Sequence, residues 1–181
     1  MKKSLILMLA VMLAAVFAGT AYAQTDTVTE VNWTDVAPMV EESGISGDFY
    51  AIGESGLYMW IPDVLTEEEL TDEDIENGFI AYLTPEDKSA VVSVTYAQIE
   101  NANVDSYYEM LADYDDVSEL EYIIINGIMA VTYEMTEQDS STVSFVDDEG
   151  YIYEFTFSPI SDEGFSQVAA MMAASIQTAE E

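Results

Sequence analysis

Apolar and polar positions recur along this chain with two periods. In the segment 151–158, Tyr151, Tyr153, Phe155 and Phe157 alternate with Ile152, Glu154, Thr156 and Ser158, the period of two that marks a strand. From about 162 to 177, Phe165, Val168, Ala169, Met172 and Ile176 recur at helical spacing and predict a helix with one face on a sheet. Between these extremes the chain reads as hairpins separated by short helices. Leu120–Ile125 and Ile128–Met135 flank Asn126-Gly127, a strong short hairpin signal. Thr142–Val146 and the aromatic strand flank Asp147-Asp148-Glu149-Gly150. Further hairpins are expected from 48–53 with 57–61, across Glu54-Ser55-Gly56, and from 79–83 with 89–97, across Thr84-Pro85-Glu86-Asp87-Lys88.

Three more helices are expected. Thr34 caps one over 34–43, with Val36, Met39 and Val40 on one face, Pro38 in its first turn and Gly44 as its stop. Thr66 and Glu69 stand at capping-box spacing for an acidic helix over 66–77. Asp105 caps a helix over 106–114 that buries Tyr107, Met110, Leu111 and Tyr114. Hairpins with amphipathic helices predict an α+β fold, an antiparallel β-sheet covered by helices in a single domain over 34–178.

The N-terminus changes the picture of where this domain works. Met1-Lys2-Lys3, an apolar run from Leu5 to Ala18 and the Ala21-Tyr22-Ala23 site have the layout of a signal peptide over 1–23, cleaved after Ala23. Residues 24–33 are expected to form a flexible N-terminal segment. The chain has no cysteine, so a lipoprotein is not expected, nor is a membrane anchor.

Charge narrows the partners. The chain holds 36 acids, three bases and no histidine. Loss of Lys2 and Lys3 with the first 23 residues leaves 36 acids against Lys88 alone, a formal charge of −35. Such a surface repels nucleic acid and acidic membranes, and its self-repulsion weakens as salt rises.

The order Gly47-Asp48-Phe49-Tyr50, then Gly56-Leu57-Tyr58-Met59-Trp60-Ile61-Pro62, then the Ile125-Asn126-Gly127 hairpin, the aromatic strand and a final helix near Ser175-Ile176 resembles PsbP-like (Mog-type) domains over most of residues 45–177. The resemblance implies an α/β/α sandwich that serves as a non-catalytic binding or assembly module, with no catalytic residues to carry over. A cystatin-like wrap of sheet around a helix is the alternative fold.

Composition removes most chemistry. Without His or Cys, Ser-His-Asp and Cys-His catalysis and the usual zinc, copper, haem and iron–sulfur ligands are excluded for this chain. Without Arg, and with Lys88 in a turn, clamps for phosphate or carboxylate substrates are missing. Asp139-Ser140-Ser141 lacks the glycine of an aspartic-protease loop. Carboxylates remain, and Ca²⁺ takes oxygen ligands alone. Asp113, Asp115 and Asp116 with Glu119 are the candidate metal set. Asp72-Glu73-Asp74 with Glu76, and Asp147-Asp148-Glu149, are weaker clusters with ready explanations in capping and turns. No other cofactor is expected.

Tyr58, Trp60 and Tyr82 are candidates for an aromatic partner surface, suited to a cationic or glycan partner. The expected function is a secreted, non-enzymatic acidic binding or assembly module, whose extracytoplasmic partner is a protein, a cation or a glycan. A Ca²⁺-responsive protein and a weak carboxylate-dependent hydrolase are the alternatives.

Overall fold

The structure, a computed structural model, describes residues 28–179. The expected signal peptide and residues 24–27 lie outside the described residues. Along the chain come β1 (Thr29–Val31), α1 (Trp33–Ser43), β2 (Gly47–Ala51), β3 (Leu57–Pro62), β4 (Thr66–Glu67), α2 (Asp72–Glu76) and β5 (Phe79–Thr84). There follow β6 (Val91–Gln98), α3 (Val104–Ala112), β7 (Val117–Ile125), β8 (Ile128–Met135), β9 (Ser140–Val146), β10 (Tyr151–Ser158), α4 (Glu163–Ser175) and β11 (Gln177–Thr178).

Tight turns make their flanking strands antiparallel. β7 and β8 close on Asn126 and Gly127, whose φ values of 48° and 81° are the pair a two-residue twisted hairpin needs. β8–β9, β9–β10 and β5–β6 follow the same logic. They join in an eight-stranded sheet of order β1-β7-β8-β9-β10-β6-β5-β4. The β2–β3 hairpin does not enter this sheet; with β11 it makes a separate three-stranded one, ordered β11-β3-β2.

The alternation in β10 divides two cores. Phe155 and Phe157 are fully buried on one face, together with Met59, Met172 and Ile176. This is the larger core, closed by α4, α1 and the small sheet. Ile152 points to the other face and packs with Val131, Tyr133, Tyr107 and Leu111 beneath α3. The chain is therefore an α+β sandwich with helices on both faces of a sheet that is antiparallel except for its edge strand β1.

Several local expectations are corrected. Residues 29–31 are not loose: β1 pairs in parallel with β7, and Val31 is fully buried. Residues 66–77 are not one helix. Thr66 and Glu67 pair with Thr84 and Leu83, and the capping box is set by Thr71 and Asp74, which leaves only a five-residue helix. Strand pairing to β5 outweighs the helical preference of the glutamates. α1 begins one residue early, after Asn32, so Pro38 falls in its second turn. α3 begins at Val104, because Asn103 caps it by accepting from the Ser106 N–H at 3.0 Å. The helix ends at Ala112, and Tyr114 is 58% exposed rather than buried. α4 is buried all round from Ala169 to Ser175, because it packs on β3 and α1 as well as β10. The small side chains of Ala169, Ala170, Ala173 and Ala174 permit that close approach.

One side chain ties the ends of this layer together. Asn126 Oδ1 accepts from the Trp33 N–H at 2.6 Å, which supplies the N-terminus of α1 with the acceptor that the side chain of Asn32 does not. Its Nδ2 donates to the carbonyls of Ala174 at 3.0 Å and Ile176 at 2.8 Å, at the C-terminal end of α4. Those carbonyls have no continuing helix to bond them.

Candidate functional site

A cleft of about 290 Å³ opens between the C-terminal half of α3 and the large sheet. Its position follows from the alternation in β10. Glu154 is displayed on the same face as Ile152, under α3 and not towards the larger core. Tyr107 of α3 and Tyr133 of β8 both donate their phenolic protons to Oε1 of Glu154, the second at 2.6 Å. Tyr133 lies two strands from Glu154, roughly 10 Å of strand spacing, a gap that only two long side chains close together. Thr95 of β6, directly opposite Glu154, donates to Oε2 at 3.4 Å.

The electrostatics of the cluster are set by burial. Desolvation is the main reason that Tyr107 and Tyr133 hold their protons well above the ordinary tyrosine value of 10.0, and the negative charge of Glu154 adds to it. At neutral pH both phenols are fixed donors. The walls are apolar, with Met110, Leu111, Val117, Met135 and Ile152. Asp116 and the exposed Tyr114 also line the cleft. Stacking of Tyr108 on Tyr122, at 4.3 Å between ring centres, helps hold α3 to β7. Ser144, opposite Glu154 on β9, is fully buried and has no hydrogen-bond partner for its hydroxyl among the described residues.

A second cleft, of about 350 Å³, separates the small sheet from β4 and β5. Ile52, Ile61, Leu65 and Leu83 line it, and Asp63 and Glu67 are exposed there. Among the described residues no side-chain hydrogen-bonded cluster like that on Glu154 lies in it, so the Glu154 cleft is the better candidate for recognition.

The residues singled out from sequence are placed differently. Asp113 caps the C-terminus of α3, Asp115 and Asp116 lie in the following turn, and Glu119 sits in a bulge of β7 with φ of 50°. All four are exposed. No three acids come together as metal ligands among the described residues. In the other clusters Asp74 serves the Thr71 capping box, and Asp147 Oδ1 accepts the N–H groups of Glu149 and Tyr151 in the hairpin turn, each at 2.9 Å.

The aromatic trio is not one surface. Trp60 is 4% exposed, with Trp33 beside it at 6.2 Å between ring centres. Burial of both faces of β3 takes Trp60 into the core. Tyr58, half-buried, shares its strand, whereas Tyr82 belongs to β5 of the other sheet. Lys88 lies exposed in its turn and pairs with Glu68. Sequence reading missed Glu154 as a site. The signal for it is a lone acid at the centre of an otherwise aromatic and apolar strand.

No family model matches the chain, and no curated protein matches it. Among solved structures it is similar to cyanobacterial PsbP (CyanoP) from Synechocystis, with 12% identity and a TM-score of 0.55 over 75% of this chain and 94% of that one. A crystal structure from Bacteroides thetaiotaomicron matches with 12% identity and a TM-score of 0.45, over 75% of this chain and 49% of that one. At such identity the first likeness bears on fold alone. Element order, helices on both faces of the sheet and that likeness agree: this chain has a PsbP-like fold.

Proposed function

We propose that this chain acts outside the cytoplasm as a non-catalytic binding or assembly module. The observation that carries the reading is the lock on Glu154. Two phenols with strongly held protons fix one oxygen of a carboxylate at the base of an apolar cleft. Such an arrangement orients an acceptor for recognition. It offers a poor proton relay, because groups that exchange protons in catalysis have pKa values near the working pH. Export is supported by the basic start, apolar run and Ala21-Tyr22-Ala23 site of the sequence.

Asp116 lines the same cleft, which makes a carboxylate-pair hydrolase the reading to exclude. Turnover of 4-nitrophenyl glycosides and esters is compared for the parent chain, Glu154→Gln and Asp116→Asn. The proposal expects no turnover that the substitutions change. Hydrolysis abolished by either substitution would overturn it. Export is tested by N-terminal sequencing of the protein from the extracytoplasmic fraction, which should begin at Gln24.

A further inference from the structure

We propose that the Glu154 cleft binds a small apolar cation, an alkyl- or arylammonium, with Glu154 as its counter-ion. The inference rests on the binding-module reading and names the ligand chemistry of its site. A half-buried carboxylate among apolar walls offers a place for an opposite charge to bind. This chain cannot supply that charge from within the described residues, where Lys88 is the sole base and is paired with Glu68. The tyrosines satisfy Oε1, whereas among the described residues Oε2 has a long contact from Thr95 alone. A carboxylate oxygen accepts about two hydrogen bonds, so Oε2 retains capacity for an ammonium donor.

The surroundings select the rest of the ligand. Met110, Leu111, Val117 and Met135 offer apolar contact, and Tyr114, exposed at the cleft, adds an aromatic side chain of the kind that attracts cations. The cleft volume of about 290 Å³ suits a molecule of a dozen or so heavy atoms at most. A bare divalent ion is a poor fit, because Ca²⁺ needs about six or more oxygen ligands and the walls are largely carbon. An anion is opposed by Glu154, by Asp116 and by the net charge. That same charge concentrates cations at the mouth of the cleft.

The test is calorimetric titration of the purified chain with 2-phenylethylammonium chloride and with 2-phenylethanol, its uncharged counterpart. It is run at neutral pH in about 0.5 M NaCl, where a Debye length of ~4 Å removes diffuse attraction to the acidic surface. The ammonium should bind at least about tenfold more tightly than the alcohol, a difference of ~1.4 kcal/mol. Glu154→Gln keeps an acceptor for both phenols and should erase that preference. Ala97→Trp, at an exposed position on the cleft wall, should block both ligands without disturbing either core. Equal affinity for the two ligands, ammonium binding indifferent to both substitutions, or no binding at all would overturn the proposal while leaving the non-catalytic reading intact. Conversion of the bound amine to a product would overturn the non-catalytic reading and leave the site standing.

Discussion

Replacing Asn126 by glycine separates two roles that the residue combines. Glycine retains the positive φ that the hairpin needs, so the turn survives. What is lost is the side chain with its three hydrogen bonds, to the Trp33 N–H and to the carbonyls of Ala174 and Ile176. At ~1 kcal/mol net for each bond, the loss is about 3 kcal/mol. The carbonyls belong to fully buried residues, so leaving them without these donors adds to the cost, while the greater freedom of glycine in the unfolded chain is offset by its ease at positive φ. A net loss of about 3–5 kcal/mol is a large share of the ~5–15 kcal/mol typical of a domain. Urea unfolding at neutral pH and moderate salt, with the slope checked for constancy, measures it directly. Asn126→Asp sharpens the comparison. Aspartate is a good turn residue, but it keeps only the acceptor and sets a charge against two carbonyl oxygens, so it should be at least as destabilising as glycine. A loss under about 1 kcal/mol for both variants would show that the residue serves the turn alone and would refute the clamp.

The tyrosine pair gives stability an alkaline limit. Burial raises the folded-state pKa of Tyr107 and Tyr133 above the unfolded value of 10.0. Their contribution is therefore complete below pH 10.0 and is lost as pH rises beyond it, by up to ~1.4 kcal/mol per pH unit for each tyrosine. Denaturant midpoints from pH 9 to 12 should fall more steeply in the parent than in the Tyr107→Phe/Tyr133→Phe double variant, and parallel curves would contradict the assignment. Ser144→Ala removes a buried hydroxyl that has no hydrogen-bond partner among the described residues and should leave stability unchanged or raise it by up to about 1 kcal/mol; a loss above ~1 kcal/mol would reveal a hydrogen bond. Because Asp113, Asp115, Asp116 and Glu119 are exposed and do not converge with three ligands, Ca²⁺ and Mg²⁺ at matched ionic strength should raise Tm equally. A Ca²⁺-only rise would favour the calcium reading instead.

Sequence reading succeeds here where the determinants are local. Asn126-Gly127 and the alternation of 151–158 each contain their instructions within a few residues, and the β7–β8 and β9–β10 pairings follow. It fails where partners are distant. The 47–62 hairpin is legible as a hairpin, but its membership of a separate sheet depends on β11, more than a hundred residues later. β1 is three residues long, too short to display a period, and its parallel partner is β7. The run Thr66 to Glu69 has helical composition, yet the exposed pairing edge of β5 claims its first two residues. The site is the strongest case. In the local pattern Glu154 reads as an outward polar position, and only the arrival of Tyr107 from α3 and Tyr133 from β8 makes it the floor of a cleft. Asp113 and its neighbours show the reverse: a dense local signal whose side chains are left exposed along the end of α3, the following turn and β7.

The most direct test of the account is a heteronuclear NMR titration of the chain with 2-phenylethylammonium in about 0.5 M NaCl. If the Glu154 cleft is the recognition site, saturable amide shifts will concentrate on Ala97, Leu111, Val117, Tyr133, Ile152 and Glu154, with the Tyr107 and Tyr133 rings shifting alongside. Small, non-saturating shifts spread over acidic turns such as Asp147 to Glu149 would show a polyanion attracting cations without a site, and would contradict it.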